Sequence, residues 1–197
     1  ANEILTENQL PGDPTWDDFA SVAQQDAISG YGSRISINRG ESIDFFVTTT
    51  APSLTIDIFR TGWYGGVGAR KMTSLGSFPG QQQGIPPPDP VTGMVVCNWI
   101  KTATLNVPST WASGVYLAKL TGSNGRKSFI FFVVRNDGGA EDIVFQTSVT
   151  TYQAYNEWGG VSLYTNNTNK SVYKYAAATK VSFDRPFHPN DSNGAGH

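Results

Sequence analysis

Hydrophobic and polar residues alternate along much of the chain between residues 28 and 135. The clearest runs place their apolar members at Ile35, Ile37, Ile43, Phe45, Val47, Leu54, Ile56 and Ile58. Successive side chains of a strand point to opposite faces of a sheet, so a period of two is typical of strands with one buried face. Between residues 28 and 135 the pattern predicts seven or eight short strands, which favours an antiparallel, immunoglobulin-like β-sandwich.

Two local sequences support this fold. Ser123-Asn124-Gly125 separates two apolar runs, and an Asn-Gly pair there predicts a hairpin with a type I′ turn, because both residues tolerate positive φ. Tyr116 follows Trp111 at the start of a predicted strand. In immunoglobulin-like sandwiches a tyrosine in this place hydrogen-bonds a neighbouring connection, so we expect the same of Tyr116.

The segments flanking these strands lack the alternation. Residues 1–27 are interpreted as an extended arm over the surface, held by Trp16 and Phe19, with a short helical turn over 16–23 as an alternative. Residues 79–93 are rich in proline, which lacks a backbone donor, so they are predicted to form a long surface loop. Strands are predicted to resume at 95–100 and 103–107.

A different organisation is predicted after the sandwich. The polar, glycine-rich residues 136–140 indicate a domain linker. The apolar run in "EDIVFQTS" is typical of a buried parallel strand, and "KVSFDRPF" predicts a second extended segment. Some 60 residues cannot supply the neighbours and helices that a parallel strand needs. Either these residues fold back onto the sandwich as an extra layer, or the chain is the front part of a longer protein.

Charge and composition narrow the partners. The chain carries 14 basic and 16 acidic residues without a basic patch, so nucleic acid is not an expected partner. No apolar run approaches the roughly 20 residues of a bilayer helix, so no membrane partner is expected. The N-terminal Ala1, the low charge and glycosylation sequons at Asn166, Asn169 and Asn190 favour a secreted glycoprotein.

Most familiar catalytic arrangements are not favoured. The two histidines, His188 and His197, lie in a Gly- and Asn-rich tail, which argues against a Ser-His-Asp or Cys-His site. The lone Cys97 excludes an intrachain disulfide and is interpreted as a small buried hydrophobe. Trp63 and Tyr64 sit in "RTGWYGGVGAR", which matches no phosphate-binding fingerprint; if exposed together, they could stack on a sugar or a partner protein.

One segment is unusually rich in functional side chains: "TTYQAYNEWGG", residues 150–160. Together with "VSLY" and "KVSFDRPF" it resembles the opening of the catalytic domain in the N,N-dimethylformamidase large (beta) subunit-like family. The sequences "ISGYGSRISINRGESIDFFV", "IDIFRTGWYGGVGAR" and "NWIKTATLNVPSTWASGVYLAKL" resemble the domain that this family carries in front of it. The resemblance covers roughly residues 28–187.

This resemblance implies a fold, a metal and a reaction. Residues 141–197 would be the start of an incomplete α/β segment, similar to glutamine amidotransferases, with a flexible tail. The family resemblance further implies a mononuclear iron, with tyrosine and glutamate ligands, and the hydrolysis of a small amide. Tyr155 is the candidate ligand, since ferric iron prefers anionic oxygen donors and can bind a phenolate. Iron could then act as a Lewis acid on an amide carbonyl.

The same residues also allow a purely structural interpretation. Tyr152, Tyr155 and Trp158 could pack the second region against the sandwich with their polar tips hydrogen-bonded, and Glu157 could be a ligand, a base or a solvated carboxylate. Two functions therefore stay open. The chain is the N-terminal portion of a secreted, iron-dependent amidohydrolase, inactive alone and completed by further residues or by another copy. Alternatively, it is a non-catalytic secreted module that binds a glycan or a protein partner.

Overall fold

The computed structural model describes residues 2–18, 27–140, 142–164 and 177–188. Within these residues the chain forms eight strands and two α-helices. In chain order they are α1 (Glu3–Asn8), β1 (Ile28–Gly32), β2 (Ser36–Asn38), β3 (Ser42–Thr49), β4 (Ser53–Thr61), β5 (Ala69–Pro79), β6 (Ala103–Asn106), β7 (Gly114–Gly122), β8 (Lys127–Arg135) and α2 (Val149–Tyr155). None of the helices in the described ranges has the length and apolar character needed to cross a membrane.

The strands form the two sheets of a β-sandwich. One sheet has the order β1-β3-β6, and the other has the order β2-β8-β7-β4-β5. Neighbouring strands are antiparallel, except that β2 runs parallel to β8. The mainly β, two-sheet architecture predicted from the alternation is confirmed. Its immunoglobulin-like topology stays a prediction.

The core lies between the two sheets and is built from the alternating residues. Phe45 on β3 and Phe132 on β8 are fully buried, and their ring centroids lie 5.8 Å apart across the sandwich. Burying a side chain of this size stabilises the fold by about 1.5–3 kcal/mol. Six of the predicted apolar positions also belong to this core: Ile37, Ile43, Val47, Leu54, Ile56 and Ile58. Ile35 is only half-buried.

The predicted tyrosine contact is present, whereas the hairpin turn differs in type. The Tyr116 hydroxyl donates to the carbonyl oxygen of Ala112 at 2.6 Å, and the ring of Trp111 stacks on Tyr116. In the connection between β7 and β8, residues 123–126, only Gly125 has positive φ, at 80°, and its N–H donates to the Gly122 carbonyl. The type I′ prediction is therefore wrong, because a type I′ turn needs positive φ at both central residues and here only Gly125 has it.

The proline-rich segment has no helix or strand assigned from residue 80 to residue 102, so the surface loop is confirmed. The strand predicted at 95–100 is wrong, although Val95, Cys97 and Trp99 keep the alternating burial. Here the side chain of Gln83 makes the backbone hydrogen bonds that a neighbouring strand would otherwise make. Gln83 donates to the carbonyls of Val47 and Ile100 and accepts from the Ile100 N–H at 2.6 Å.

The N-terminal arm lies on the sandwich, but it is not wholly extended. It contains α1, which Asn2 caps through the N–H of Ile4, and a 3₁₀ turn over Pro14–Asp17. Trp16 is one of its contacts, as predicted, because its indole N–H donates to the Val67 carbonyl at 2.8 Å. The other predicted contact, Phe19, lies outside the described residues.

The residues after β8 do not form the predicted buried parallel strand. Ile143, Val144 and Phe145 belong to no strand and are 79–87% exposed. The physical reason is that no other described strand lies alongside this run to complete its backbone hydrogen bonds. The linker assigned to 136–140 stays a prediction as a domain boundary; its Asp137 N–H donates to the Asn38 side chain.

The segment that follows packs back onto the sandwich as an extra layer. Helix α2 begins at residue 149, and residues 177–188 return beside the loop that precedes β6. The N–H of Cys97 donates to the Asp184 carbonyl at 2.7 Å, and the N–H of Thr179 donates to the Thr92 carbonyl at 2.8 Å. The sequons, the predicted flexible tail and His197 lie outside the described residues.

Candidate functional site

The segment over residues 150–160 forms α2 and a tight turn after it. Helix α2 ends at Tyr155, and a 3₁₀ turn covers Trp158–Gly160. Gly159 and Gly160 have φ of 80° and 89°. Glycine adopts this left-handed region without steric cost, so the Gly-Gly pair lets the chain reverse directly after Trp158.

Asn156 holds this turn together. Its Nδ2 donates to Gln153 Oε1 at 3.0 Å and to the Pro186 carbonyl at 2.9 Å. Its Oδ1 accepts from the backbone N–H groups of Trp158 and His188 at 3.1 and 3.0 Å. A buried amide with all four hydrogen bonds made is fully committed to structure, so Asn156 has no free group for a ligand.

Arg185 is the cation at the centre of the layer. Its Nη1 donates to the carbonyls of Trp158 and Val161, and its Nη2 donates to those of Gln153 and Asn156, at 2.9–3.3 Å. These carbonyls include groups at the C-terminal end of α2, where a cation is favoured. Burial lowers the pKa of Arg185 to about 10, so the side chain remains charged at neutral pH. The sequence interpretation did not single out this residue.

Two of the aromatic residues attach the layer to the sandwich. Trp158 is fully buried, and its ring meets the edge of Trp99 with centroids 5.7 Å apart. Tyr152 meets Phe131 of β8 edge-on at 6.3 Å. Edge-to-face pairs of this kind contribute about 0.5–1.5 kcal/mol beyond the area that they bury. The packing part of the structural interpretation therefore holds for Trp158 and Tyr152, but the indole nitrogen of Trp158 is buried without a hydrogen-bond partner, contrary to the expectation of a hydrogen-bonded polar tip.

Tyr155 is placed differently. It is 38% exposed, and its ring stacks on that of Tyr164, with centroids 4.3 Å apart and planes 14° apart. No hydrogen bond joins its hydroxyl to another described residue. Glu157 lies two residues further on and is half-buried. Of the candidates in this segment, Tyr155 is the one whose phenol is both accessible and uncommitted.

The described residues do not by themselves form an iron site. Within the ranges that the structure covers, no three His, Cys, Asp or Glu side chains are grouped to hold a metal ion. Tyr155 offers a single oxygen donor, whereas a protein-bound metal ion needs several. A complete set of ligands would therefore need residues outside the described ranges.

The glycine-rich loop around Trp63 exposes one aromatic side chain and buries the other. Tyr64 is buried at φ 41°, and its hydroxyl donates to Glu7 Oε1 and accepts from Arg60 Nη1, both at 2.9 Å. Trp63 is 70% exposed. The two rings are therefore not exposed together, and only Trp63 remains available for stacking on a partner.

Cys97 is a buried thiol, as expected from its apolar neighbours. It is 3% exposed, and burial raises its pKa to about 12 against the smaller, opposite effect of Arg185. A thiol with so high a pKa carries almost no thiolate at neutral pH.

Comparison with known protein families gives a match over most of the chain. Residues 55–197 match the family model described as "N,N-dimethylformamidase beta subunit-like, C-terminal", which therefore begins inside the sandwich. No curated protein matches the chain. One similar solved structure is that of Escherichia coli alpha-2-macroglobulin activated by porcine elastase. It has 14% sequence identity and a TM-score of 0.34, and the match covers 54% of this chain and 8% of that one. A TM-score this low does not establish a shared fold.

Proposed function

Because the chain belongs to the N,N-dimethylformamidase beta subunit-like family, we propose that it is part of a subunit that hydrolyses the C–N bond of small amides. The family match over residues 55–197 carries this proposal. The accessible, uncommitted phenol of Tyr155 supports it, since that phenol lies in the segment whose sequence resembles the catalytic opening.

We further propose that Tyr155 is one ligand of an iron ion whose ligand set is completed by residues outside the described ranges. When bound, iron would supply a Lewis acid for the amide carbonyl. Among the residues of this chain, Tyr164 stacks on the Tyr155 ring and restricts its orientation. Asn156 and Arg185 fix the turn that follows Tyr155. A ligand held on such a rigid support keeps its geometry.

We propose that the 197 residues alone are inactive and act together with the remainder of the same precursor or with another copy. The exposed apolar run of Ile143, Val144 and Phe145 supports this view, because such a run is normally paired or covered. If a second copy covers it, Val144→Lys should abolish a concentration-dependent dimer in light scattering. A wild-type chain that stays monomeric would contradict the second copy.

The experiment for this function is an amidase assay on the full-length protein. N,N-dimethylformamide is the substrate, and release of formate and dimethylamine is the measurement. Tyr155→Phe should lower the rate by more than about 100-fold, beyond the 10–100-fold typical of a residue behind a metal ligand. Tyr152→Phe, which keeps the ring on Phe131, is the control and should retain the rate. Equal activity of the two variants would contradict the assignment.

A second candidate function is favoured by Trp63. This exposed indole on a loop anchored by Tyr64 suits stacking on a neutral sugar or a partner protein. Under this proposal the chain is a non-catalytic binding module. Oligosaccharides should shift the Trp63 indole resonance in an NMR titration, and Trp63→Ala should lose the binding. No amidase activity in the full-length protein, together with Trp63-dependent binding, would favour this candidate over the first.

We propose in either case that the protein is exported and glycosylated. The sequons at Asn166, Asn169 and Asn190 support this proposal. Intact-mass measurement of the protein from its natural source, before and after enzymatic deglycosylation, would test it. An unchanged mass equal to that of the bare polypeptide would contradict glycosylation.

A further inference from the structure

An open groove of about 350 Å³ lies within the long loop between β5 and β6. One wall comes from residues 81–84, and the other comes from residues 96–100. The lining combines amide side chains with the apolar side chains of Pro86, Val96 and Ile100, and it contains no charged residue. Such a lining favours an uncharged ligand, because a charge brought into it would find no partner.

The wall at residues 96–100 has one open backbone edge. Along an extended backbone, the N–H and C=O groups of alternate residues point to opposite edges. At one edge the Cys97 N–H donates to a carbonyl of the layer at 2.7 Å. At the other edge both main-chain groups of Ile100 are bonded to a glutamine side chain. The main-chain groups of Val96 and Asn98, which point to this second edge, bond to no other described residue.

The wall at residues 81–84 shows the same alternation. The main-chain groups of Gln81 and Gln83 bond to the end of β3, at 2.9 and 2.7 Å. Gln82 lies between them, so its own N–H and C=O point the other way, toward the groove that it lines. Neither group has a hydrogen-bond partner within the described ranges. Two backbone edges with unpaired groups therefore face each other across the groove.

A run elsewhere in the chain has the complementary need. Ile143, Val144 and Phe145 are 79–87% exposed and belong to no strand. Their main-chain groups are also unpaired among the residues that the structure describes. β-branched and aromatic side chains favour strands, and the run from Ile143 to Thr147 carries no charge. The run lacks a neighbouring strand, which the edges of the groove would supply.

We propose that the groove accepts residues 143–147 of a second copy as an added β-strand. The main-chain groups of the run pair with those of Gln82, Val96 and Asn98, and its alternate side chains lie against the apolar lining. When a strand joins an open edge, main-chain pairing supplies affinity and alternate side chains supply specificity. The inference rests on the proposed association of two copies, which it deepens by naming the surface, and it is independent of the role proposed for Tyr155.

The first test is a titration of the ¹⁵N-labelled chain with a blocked synthetic peptide of residues 143–148, followed by NMR. The labelled chain carries Val144→Lys, so that its own run does not compete. Saturable shifts are expected at the amides of Gln82, Val96 and Asn98. Asn98→Pro removes an N–H from the edge of the groove and should weaken binding at least about fivefold. Asn98→Ala, at the same exposed position, keeps that N–H and should bind within about twofold.

N-methylated peptides separate strand pairing from simple apolar adhesion. Methylation at Val144 and Phe145 removes one N–H from each edge of the run but keeps every side chain. This peptide should bind at least about fivefold more weakly, whereas a peptide methylated only at Ser148, beyond the run, should bind like the parent. Equal binding of the three peptides, or no saturable shift at the groove, would overturn the proposal.

The dimer itself gives the last test. In light scattering, Asn98→Pro in the otherwise unchanged chain should raise the dimer dissociation constant at least about fivefold, and Asn98→Ala should leave it unchanged. A dimer that is insensitive to Asn98→Pro would leave the proposed association intact and overturn the groove as its surface. A chain that stays monomeric while the peptide binds would overturn the second copy as the occupant. Amidase activity is measured separately, through formate release, so its failure would not be confused with either result.

Discussion

Replacing Arg185 by methionine should destabilise the layer that carries Tyr155 much more than a substitution at an exposed position does. The variant removes four hydrogen bonds of 2.9–3.3 Å and leaves their carbonyls inside the protein. A hydrogen bond to a charged group contributes about 1.5–3 kcal/mol. The sum is reduced because the cation also costs several kcal/mol to bury.

The net loss is therefore about 3–5 kcal/mol, which is the usual cost of deleting one partner of a buried charge interaction. In a chain of this size each kcal/mol lowers the melting temperature by about 2–4 °C, so a fall of about 10 °C is expected. Urea unfolding followed by tryptophan fluorescence measures it, since Trp158 leaves its aromatic cluster on unfolding. Arg126→Met, at an exposed hairpin position, is the matched control. A difference below about 0.5 kcal/mol between the two variants would refute a stabilising role for the four hydrogen bonds from Arg185 to backbone carbonyls.

Three further predictions concern the sandwich and the arm. Tyr116→Phe should lower the free energy of unfolding by about 1 kcal/mol in urea, through loss of the hydrogen bond to Ala112, and an unchanged value would count against that bond. Cys97 should react with Ellman's reagent at pH 8 on the order of a thousand-fold more slowly than free cysteine, because its pKa is about 12; fast labelling of the folded protein would contradict its burial. The hydroxyl of Thr15 lowers the pKa of Asp13 below 3.8, so its contribution to stability is present above that pH and is lost as the pH falls through the folded-state pKa. Asp13→Asn should flatten the stability profile below about pH 4, and identical acid unfolding curves would show that Asp13 contributes nothing.

The alternation of side chains predicted the sandwich because it records burial directly. It could not distinguish a strand from a segment that is only buried on one side. At 95–100 the alternation is present, but the Gln83 side chain replaces the neighbouring strand. The apolar composition of residues 143–145 likewise records a need for burial, which the described residues do not meet.

The metal-ligand role of Tyr155 stays a prediction. The sequence singled out Tyr155 through a family resemblance, and the family match supports that resemblance. The sequence could not show that Tyr155 is exposed while Trp158 is buried, since exposure depends on how α2 packs on the sandwich. Arg185 escaped notice because its four partners lie 24–32 residues away, beyond any local pattern.

One measurement tests most directly whether Tyr155, rather than Tyr152, is a ligand of iron. Full-length protein should contain iron and show a visible phenolate-to-iron charge-transfer band. Tyr155→Phe should lose that band, while Tyr152→Phe should keep it. Iron-free full-length protein without the band, or a band that survives in Tyr155→Phe, would contradict the role proposed for Tyr155.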